Sequence, residues 1–240
     1  MRKTTNKSNK RRIEGVKLIA FDADDTLWEN ETFFRDAEKH FAAMLKDFAE
    51  PGEIYRMLYE VEMTNMAIYG YGIKAFVLSL IETANLVSGY RITPQQIDAI
   101  ILLGKEMLNK PVVLLDGVEE VLKELSRHYR LIVATKGDLL DQERKLKKSG
   151  LLKYFHHIEV MSDKNPDSYT ALINHLDIEP IELLMIGNSM KSDILPILEL
   201  GGWGVHVPFH TTWHHEVVEH KVESDRFFEV KQLSDVLQFL

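Results

Sequence analysis

The sequence predicts an α/β fold, in which a doubly wound, mostly parallel β-sheet is interrupted by an inserted block of α-helices. A short apolar run at 16–20 ends in an acidic segment, as expected for a buried strand of a parallel sheet. A long stretch at 30–111 has helical periodicity throughout. From residue 117 onward, helical segments alternate with short apolar runs, which favours parallel strands with helices on both faces.

The composition indicates a folded, acidic protein. Hydrophobic residues make up 45% of the 240 residues, and the formal net charge is -8. This balance argues against a chain built to coat nucleic acid. The chain has no cysteine, which excludes disulfides and thiolate metal sites. The longest apolar stretch, at 75–81, is too short to span a bilayer, and a signal-peptide pattern is absent from the sequence, so we expect a cytoplasmic protein.

The first segment, 1–13, is rich in Lys and Arg and poor in apolar side chains. Such a segment cannot bury enough apolar surface to offset the entropy lost on ordering. We therefore expect a flexible basic tail, with a nucleic-acid-binding arm as the alternative interpretation.

Three aspartates, Asp22, Asp24 and Asp25, follow the first apolar run. Side chains alternate along an extended chain, so Asp22 and Asp24 leave the strand on the same side. Their repulsion is relieved by a divalent cation, or by one carboxyl that keeps its proton as a general acid. An acidic turn that caps the next helix is the alternative, and it is the preferred interpretation for Asp25.

The helical stretch predicts a domain of four helices, 30–111, inserted into a core made of 14–29 and 112–240. The predicted helices are 32–50, 53–68, 73–87 and 93–109. The break at 69–74 contains two glycines, which permit a tight loop that carries aromatic and cationic side chains.

The second part of the chain predicts further strands at 131–134, 158–161, 183–186 and 203–207. Ligands of open parallel sheets bind beyond the carboxyl ends of the strands, so the residues that follow each strand are candidate site residues. They are Thr135, Lys136, Gly137, Lys164, Gly187, Asn188, Ser189 and Asp193. Together with the aspartate pair, this set suits a phosphoryl group held with a hard cation such as Mg²⁺.

Four segments at strand ends, which contain in chain order the pair Asp22 and Asp24, then Thr135, then Lys164, and then 187–193, resemble the four motifs of the haloacid dehalogenase (HAD) superfamily. The helical block at 30–111 resembles the C1-type cap of that superfamily. The resemblance implies a Rossmann-like core and Mg²⁺-dependent hydrolysis of a small-molecule phosphate monoester. It assigns Asp22 as the nucleophile that forms an aspartyl-phosphate, and Asp24 as the general acid and base. Thr135 and Lys164 would then hold the phosphate. The metal ligands implied are Asp22, the Asp24 carbonyl, Asn188 and Asp193.

One position departs from that pattern, because Gly187-Asn188 stands where the superfamily usually has Gly-Asp. A neutral amide ligand leaves metal affinity and metal choice open, and gives Asp193 more of the electrostatic role. Asp24 favours phosphoryl chemistry over 2-haloacid dehalogenation, since a leaving oxygen needs a proton. A mutase or other phosphotransferase, and a low-activity domain that serves as a binding or regulatory module, are the remaining alternatives.

Substrate selection is expected where the insertion meets the core. The candidate substrate contacts are Thr135, Lys136, Gly137, Lys164, Trp28, Tyr71 and Lys74. Packing of the tyrosines between helices is the alternative for the loop. Among the histidines at 206–220, His215 and His220 are five residues apart, whereas a helical zinc motif needs i, i+4 spacing. Segment 209–213 is a candidate rim of the site.

Overall fold

The computed structural model describes residues 11–218 and 220–240. Its strands are β1 (Leu18–Phe21), β2 (Arg130–Lys136), β3 (His157–Met161), β4 (Leu183–Gly187), β5 (Trp203–His206) and β6 (Phe227–Glu229). They form one six-stranded sheet in the order β3-β2-β1-β4-β5-β6, and each neighbouring pair is parallel. The α/β class with a parallel sheet, predicted from the sequence, is confirmed.

The helices are α1 (Glu31–Met44), α2 (Pro51–Tyr69), α3 (Ile73–Val87), α4 (Pro94–Asn109), α5 (Val118–Leu125), α6 (Leu139–Ser149), α7 (Pro166–His175) and α8 (Leu195–Glu199). The first predicted helix is too long, because α1 ends at Met44 and residues 45–48 form turns. Within the described ranges, no helix is long and apolar enough to cross a membrane.

The central strands explain where the candidate site forms. All of β1 is buried, since helices cover both faces of the sheet. Its last residue, Phe21, pairs with Val133 of β2 on one side and with Ile186 of β4 on the other. The chain therefore leaves β1 at the point where the strand order reverses, which is the usual ligand position in such sheets.

The helical insertion has a hydrophobic core of its own. Its fully buried side chains include Phe41, Leu45, Ile54, Leu80 and Ile100, contributed by α1 to α4 and by the turn after α1. The division of the chain into a core and an inserted domain, with boundaries at 29/30 and 111/112, stays a prediction.

Two linkers join the insertion to the sheet, and they are hydrogen-bonded to each other. The amide of Glu29 donates to the carbonyl of Val113 at 3.0 Å, and the amide of Leu115 donates to the carbonyl of Leu27 at 3.0 Å. The incoming and outgoing chains therefore run side by side as a short antiparallel ribbon.

The sequence-based boundary of the tail needs correction at its inner end. Arg11 donates to the carbonyl oxygens of Ser224 at 2.9 Å and Phe227 at 2.7 Å. Ile13 is buried, and its amide donates to the carbonyl of Phe239. These residues are packed because the guanidinium and the apolar side chain both find partners beside β6. The expectation of a flexible tail or an arm for 1–10 lies outside the described residues.

Strand β6 was not predicted from the sequence. It has 3 residues, and only the middle one, Phe228, is buried. A segment this short shows no alternation that could be distinguished from a loop.

Candidate active site

The candidate site lies at the carboxyl ends of the central strands and opens into a cavity of about 190 Å³ between the sheet and α1 to α3. The predicted site residues that line this cavity are Asp22, Asp24, Tyr71, Thr135, Lys136, Gly137, Lys164, Asn188, Ser189 and Asp193. The structure thus brings together residues that are far apart in the chain. Trp28 and Lys74 are not among the lining residues.

At the floor of the cavity, one lysine lies between two carboxylates. Lys164 Nζ is 2.6 Å from Asp22 Oδ1 and 2.6 Å from Asp193 Oδ1, and the lysine side chain is only 1% exposed. Burial lowers the pKa of Lys164, but the two carboxylates outweigh this effect and raise the pKa above its usual value. The lysine is therefore an ammonium that neutralises part of the negative charge.

Asp22 is held directly after β1. Its amide donates to the carbonyl of Ile186 at 2.9 Å, which continues the pairing with β4, and the hydroxyl of Thr26 donates to Asp22 Oδ2 at 3.1 Å. Burial is the main influence on the pKa of Asp22 and raises it to about 7, against the attraction of Lys164. A further positive charge beside this carboxylate would stabilise its ionised form.

Asp24 is held by three side-chain donors. Asp24 Oδ1 accepts from Trp28 Nε1 at 2.7 Å and from Lys145 Nζ at 2.8 Å. Asp24 Oδ2 accepts from Gln142 Nε2 at 2.8 Å. Neither Gln142 nor Lys145 was predicted as a site residue. Their i, i+3 spacing places them on one face of α6, but no signal in the sequence connects that face with the end of β1.

Asp25 shapes the turn that leads into the insertion. Its backbone is in the left-handed region, with φ of 60°. Its carboxylate accepts hydrogen bonds from the amides of Asn30 at 2.8 Å and Glu31 at 3.0 Å. These contacts satisfy donors at the start of α1, in agreement with the expected capping role.

In the segment after β4, the backbone at Gly187 lies very close to the side chain of Asp193. A Cβ atom at Gly187 would overlap the carboxylate of Asp193, so glycine is required there. Asp193 Oδ2 accepts from the amide of Ser189 at 2.9 Å. Asn188 contacts the first motif, since its amide donates to Thr26 Oγ1 at 3.0 Å and its Oδ1 is 3.2 Å from the same hydroxyl oxygen.

The donor atoms beside Asp22 are compatible with Mg²⁺. Asp22 Oδ2 and Asn188 Oδ1 both lie within hydrogen-bonding distance of the Thr26 hydroxyl, and both are hard oxygen ligands. Mg²⁺ usually takes one or two carboxylates and retains waters. In the part of the chain that the structure describes, no group of three His, Cys, Asp or Glu side chains is arranged around a metal position. Both oxygens of Asp193 are already engaged, by Lys164 and by the Ser189 amide.

A second, half-buried ion pair lies next to Thr135. Lys136 Nζ is 2.5 Å from Glu216 Oε1 and 2.8 Å from Ser192 Oγ. Burial raises the pKa of Glu216, but Lys136 and the hydroxyls of Ser189 and Ser192 outweigh burial and lower the pKa to about 2. Lys136 therefore lines the cavity with its charge already neutralised. Glu216 was not predicted, because it lies in a loop without a recognisable motif.

The loop between α2 and α3 contacts the sheet side of the cavity. Tyr71 Oη donates to Asp163 Oδ1 at 3.4 Å, and the Tyr71 ring stands edge-on to Trp213 with 6.3 Å between ring centres. Lys136 Nζ lies 4.2 Å from the centre of the Tyr71 ring, in a cation–π arrangement. Residues 211–213 line the cavity and so form part of its rim, as expected for segment 209–213.

Two predicted substrate contacts are corrected by the structure. Trp28 is 1% exposed and belongs to the hydrophobic core, because the linker turns its ring inward and its indole N–H donates to Asp24. Lys74 is not among the lining residues, and it forms an ion pair at 2.9 Å with Asp138, which does line the cavity. The Lys74 side chain points in a different direction from that of Tyr71, because Lys74 belongs to α3, which begins at Ile73, whereas Tyr71 lies in the loop before this helix.

The wall contributed by α1 and α2 is acidic. Glu31, Glu38 and Glu62 line the cavity, and Arg35 forms ion pairs with Glu31 at 2.9 Å and with Glu38 at 3.0 Å. Burial raises the pKa of Glu31 to about 7. Burial, followed by repulsion from Glu38 and Glu31, raises the pKa of Glu62 to about 8.

The fold and the cavity define an α/β enzyme whose site lies at the switch point of a parallel sheet and is covered by a helical insertion. The family model of haloacid dehalogenase-like hydrolases matches residues 16–201. The chain therefore belongs to the haloacid dehalogenase-like hydrolase family, and the resemblance inferred from the four motifs is confirmed.

Individual relatives agree with this assignment. A haloacid dehalogenase-like family hydrolase from Xanthomonas campestris is 36% identical, with a TM-score of 0.83 over 92% of this chain and 89% of that chain. The N-acylneuraminate-9-phosphatase of Mus musculus is 22% identical over 203 residues, which cover 79% of this chain and 81% of that protein. A 2-haloacid dehalogenase from Pseudomonas syringae pv. Tomato DC3000 is 17% identical, with a TM-score of 0.61 over 93% of this chain and 98% of that chain, a likeness of fold alone.

Proposed function

We propose that this hydrolase is a Mg²⁺-dependent phosphatase that acts on a small-molecule phosphate monoester. The observation that carries the proposal is that Asp22 and Asp24 line the same cavity as Thr135 and Lys164. A nucleophile, a second carboxyl group and two donors for phosphate oxygens thus converge on one volume. The similarity to an N-acylneuraminate-9-phosphatase supports phosphoryl chemistry.

In the first step, an Asp22 carboxylate oxygen attacks phosphorus and forms an aspartyl-phosphate, while the bond to the leaving oxygen breaks. Asp24 donates its proton to that oxygen, so an alcohol leaves instead of an alkoxide. Lys164 and the Thr135 hydroxyl donate to the phosphate oxygens and stabilise the charge of the transition state. Bound Mg²⁺, held by Asp22, Asn188 and the Asp24 carbonyl, would neutralise phosphate charge.

In the second step, Asp24 acts as a base and removes a proton from the attacking water. The bond between phosphorus and the Asp22 oxygen breaks, which releases inorganic phosphate and restores the carboxylate. Asp193 supports both steps through Lys164, since its Oδ1 lies 2.6 Å from the ammonium. The same carboxyl group of Asp24 must therefore be correctly placed twice in each cycle.

The dimensions of the cavity support a small substrate. Its volume of about 190 Å³ accommodates a phosphate group and a modest leaving group between the sheet and the insertion. The leaving group would then contact the insertion side of the cavity, which is lined by Tyr71 and by the glutamates of α1 and α2.

The test is phosphate release from p-nitrophenyl phosphate by the purified protein with Mg²⁺. Asp22→Asn is the inactive comparison, and Asp47→Asn, at an exposed position, is the matched control. We expect turnover by the wild type and by Asp47→Asn, loss of turnover in Asp22→Asn, and loss when the metal is chelated. Turnover that persists in Asp22→Asn would exclude the proposed nucleophile. Release of halide from a 2-haloacid without metal would favour a dehalogenase instead.

A further inference from the structure

We propose that Lys145 is a positioning residue for Asp24, and that it couples the placement of this carboxyl group to the residue that immediately precedes α1 of the helical insertion. The inference rests on the proposed function, because it concerns the group assigned there as acid and base. Lys145 lies on α6, outside the four motif segments, and its side chain is 17% exposed.

Three side-chain donors surround the Asp24 carboxylate. A carboxylate on a short side chain can rotate, and donors from several directions are needed to fix both of its oxygens. Trp28 and Gln142 are fixed by their own surroundings: Trp28 is buried in the core, and Gln142 Nε2 also donates to the carbonyl of Lys136 at 2.8 Å. Lys145 is the third donor, and it has the longest and most flexible side chain.

The Lys145 ammonium group is itself held by Asn30. Its Nζ donates to Asn30 Oδ1 at 2.9 Å, while Asp141 Oδ2 lies farther away, at 3.9 Å. Asn30 immediately precedes α1, and its own amide donates to Asp25. One ammonium group therefore contacts both the proposed proton-transfer residue and the start of the insertion.

This arrangement gives Lys145 a role that differs from simple stabilisation. If the ammonium is removed, Asp24 keeps the donors Trp28 and Gln142 but loses one of the two contacts to Oδ1. The carboxyl group is then less confined about its bond to the backbone. Proton delivery to a leaving oxygen depends on such placement, whereas binding of the phosphate by Thr135 and Lys164 does not.

The experiment compares kcat/KM for two substrates of different leaving group, p-nitrophenyl phosphate and β-glycerophosphate. This quantity includes the departure of the leaving group. Lys145→Met is expected to lower kcat/KM for β-glycerophosphate by about 10-fold to 100-fold, because an alkoxide needs a proton, and for p-nitrophenyl phosphate by less than about 3-fold. Asn30→Ala should shift the ratio of the two values in the same direction, by a smaller factor.

Two further variants separate positioning from structural effects. Lys145→Arg retains a cationic donor and should restore most of the β-glycerophosphate activity, whereas Lys147→Met, at an exposed position of the same helix, should behave as the wild type. Equal losses on both substrates, accompanied by a lower melting temperature, would assign Lys145 a structural role and overturn the inference. Wild-type kinetics in Lys145→Met would overturn it as well.

The Asp22→Asn variant distinguishes this failure from failure of the proposed function. If Asp22→Asn is inactive while Lys145→Met is unchanged, the phosphatase assignment survives and only the role of Lys145 is excluded. If the wild type releases no more phosphate than Asp22→Asn, the proposed function fails, and the inference about Lys145 fails with it.

Discussion

The charged side chains on the two sides of the cavity are paired differently. On the sheet side, each charged group has a defined partner: Lys164 lies between Asp22 and Asp193, and Lys136 pairs with Glu216. On the insertion side, Glu31, Glu38 and Glu62 line the cavity, and Arg35 forms ion pairs with the first two of them. The comparison indicates that the sheet side holds its charged groups in fixed pairs. The insertion side instead holds crowded carboxyl groups whose raised pKa values favour the protonated form, and these groups are available for discrimination between substrates.

The largest effect is expected when Asp22, the proposed nucleophile on the sheet side, is replaced. Asp22→Asn should lower phosphate release by at least about 1,000-fold, because a neutral amide cannot form the aspartyl-phosphate. The measurement is initial-rate phosphate release with Mg²⁺ and p-nitrophenyl phosphate. A circular-dichroism melting curve like that of the wild type would show that the loss is chemical. A reduction of only a few-fold would contradict the assignment.

The second change removes the positive charge that Asp22 and Asp193 share on the sheet side. Lys164→Met leaves two buried carboxylates without their shared cation, and we expect a loss of about 3–5 kcal/mol in the free energy of unfolding at pH 7. Urea unfolding monitored by tryptophan fluorescence measures it. Lys191→Met, at an exposed position, is the control for loss of one positive charge. Equal stability of the two variants would mean that the contacts of Lys164 with Asp22 and Asp193 are not needed for folding.

The third change tests the insertion side, where Glu62 has its pKa raised from 4.5 to about 8 by burial and by neighbouring glutamates. Because the folded state binds this proton more tightly than the unfolded state, the free energy of unfolding should fall as pH rises from about 4.5 to about 8 and then level off. Glu62→Gln should remove that part of the decline and stabilise the protein by about 1–3 kcal/mol at pH 8.5.

Urea unfolding of the wild type and Glu62→Gln at pH 5 and pH 8.5 makes this measurement. Glu60→Gln, at an exposed position of α2, is the matched control and should retain the pH dependence of the wild type. If Glu62→Gln and the wild type lose the same stability between the two pH values, Glu62 does not have the raised pKa inferred from its burial and its neighbouring glutamates.

The smallest effect is expected where the two sides meet at the surface. Lys74 and Asp138 form an exposed ion pair between α3 and the start of α6. Lys74→Met should change the free energy of unfolding by less than about 1 kcal/mol, as for other exposed pairs. KM for p-nitrophenyl phosphate should stay within about 2-fold, because Lys74 does not line the cavity. A large rise in KM alone would restore Lys74 as a substrate contact.

The sequence was most informative where a local pattern determines position. Strand ends follow from short apolar runs, and parallel strands end at the same edge, so Asp22, Thr135 and Lys164 could be grouped from the sequence alone, and all three line the cavity. The helical insertion was equally visible, because helical periodicity extends over several turns. These are properties of neighbouring residues and of a simple topological rule.

The sequence was least informative where position depends on tertiary packing. Trp28 was expected in the site and lies in the core, because the linker that carries it pairs with the outgoing chain. Gln142 and Lys145 reach Asp24 across the molecule from α6. Glu216 comes from an irregular loop. None of these contacts follows from spacing along the chain, since each depends on how distant segments pack.

The paired linkers have a consequence for protein engineering. The segments at 27–29 and 113–115 cross between sheet and insertion side by side, joined by main-chain hydrogen bonds that do not depend on side-chain identity. The helical block can therefore be regarded as a cassette with adjacent ends. A helical block of different sequence whose ends lie equally close should be transplantable between these linkers, which would exchange the leaving-group side of the cavity while the strand ends stay as they are.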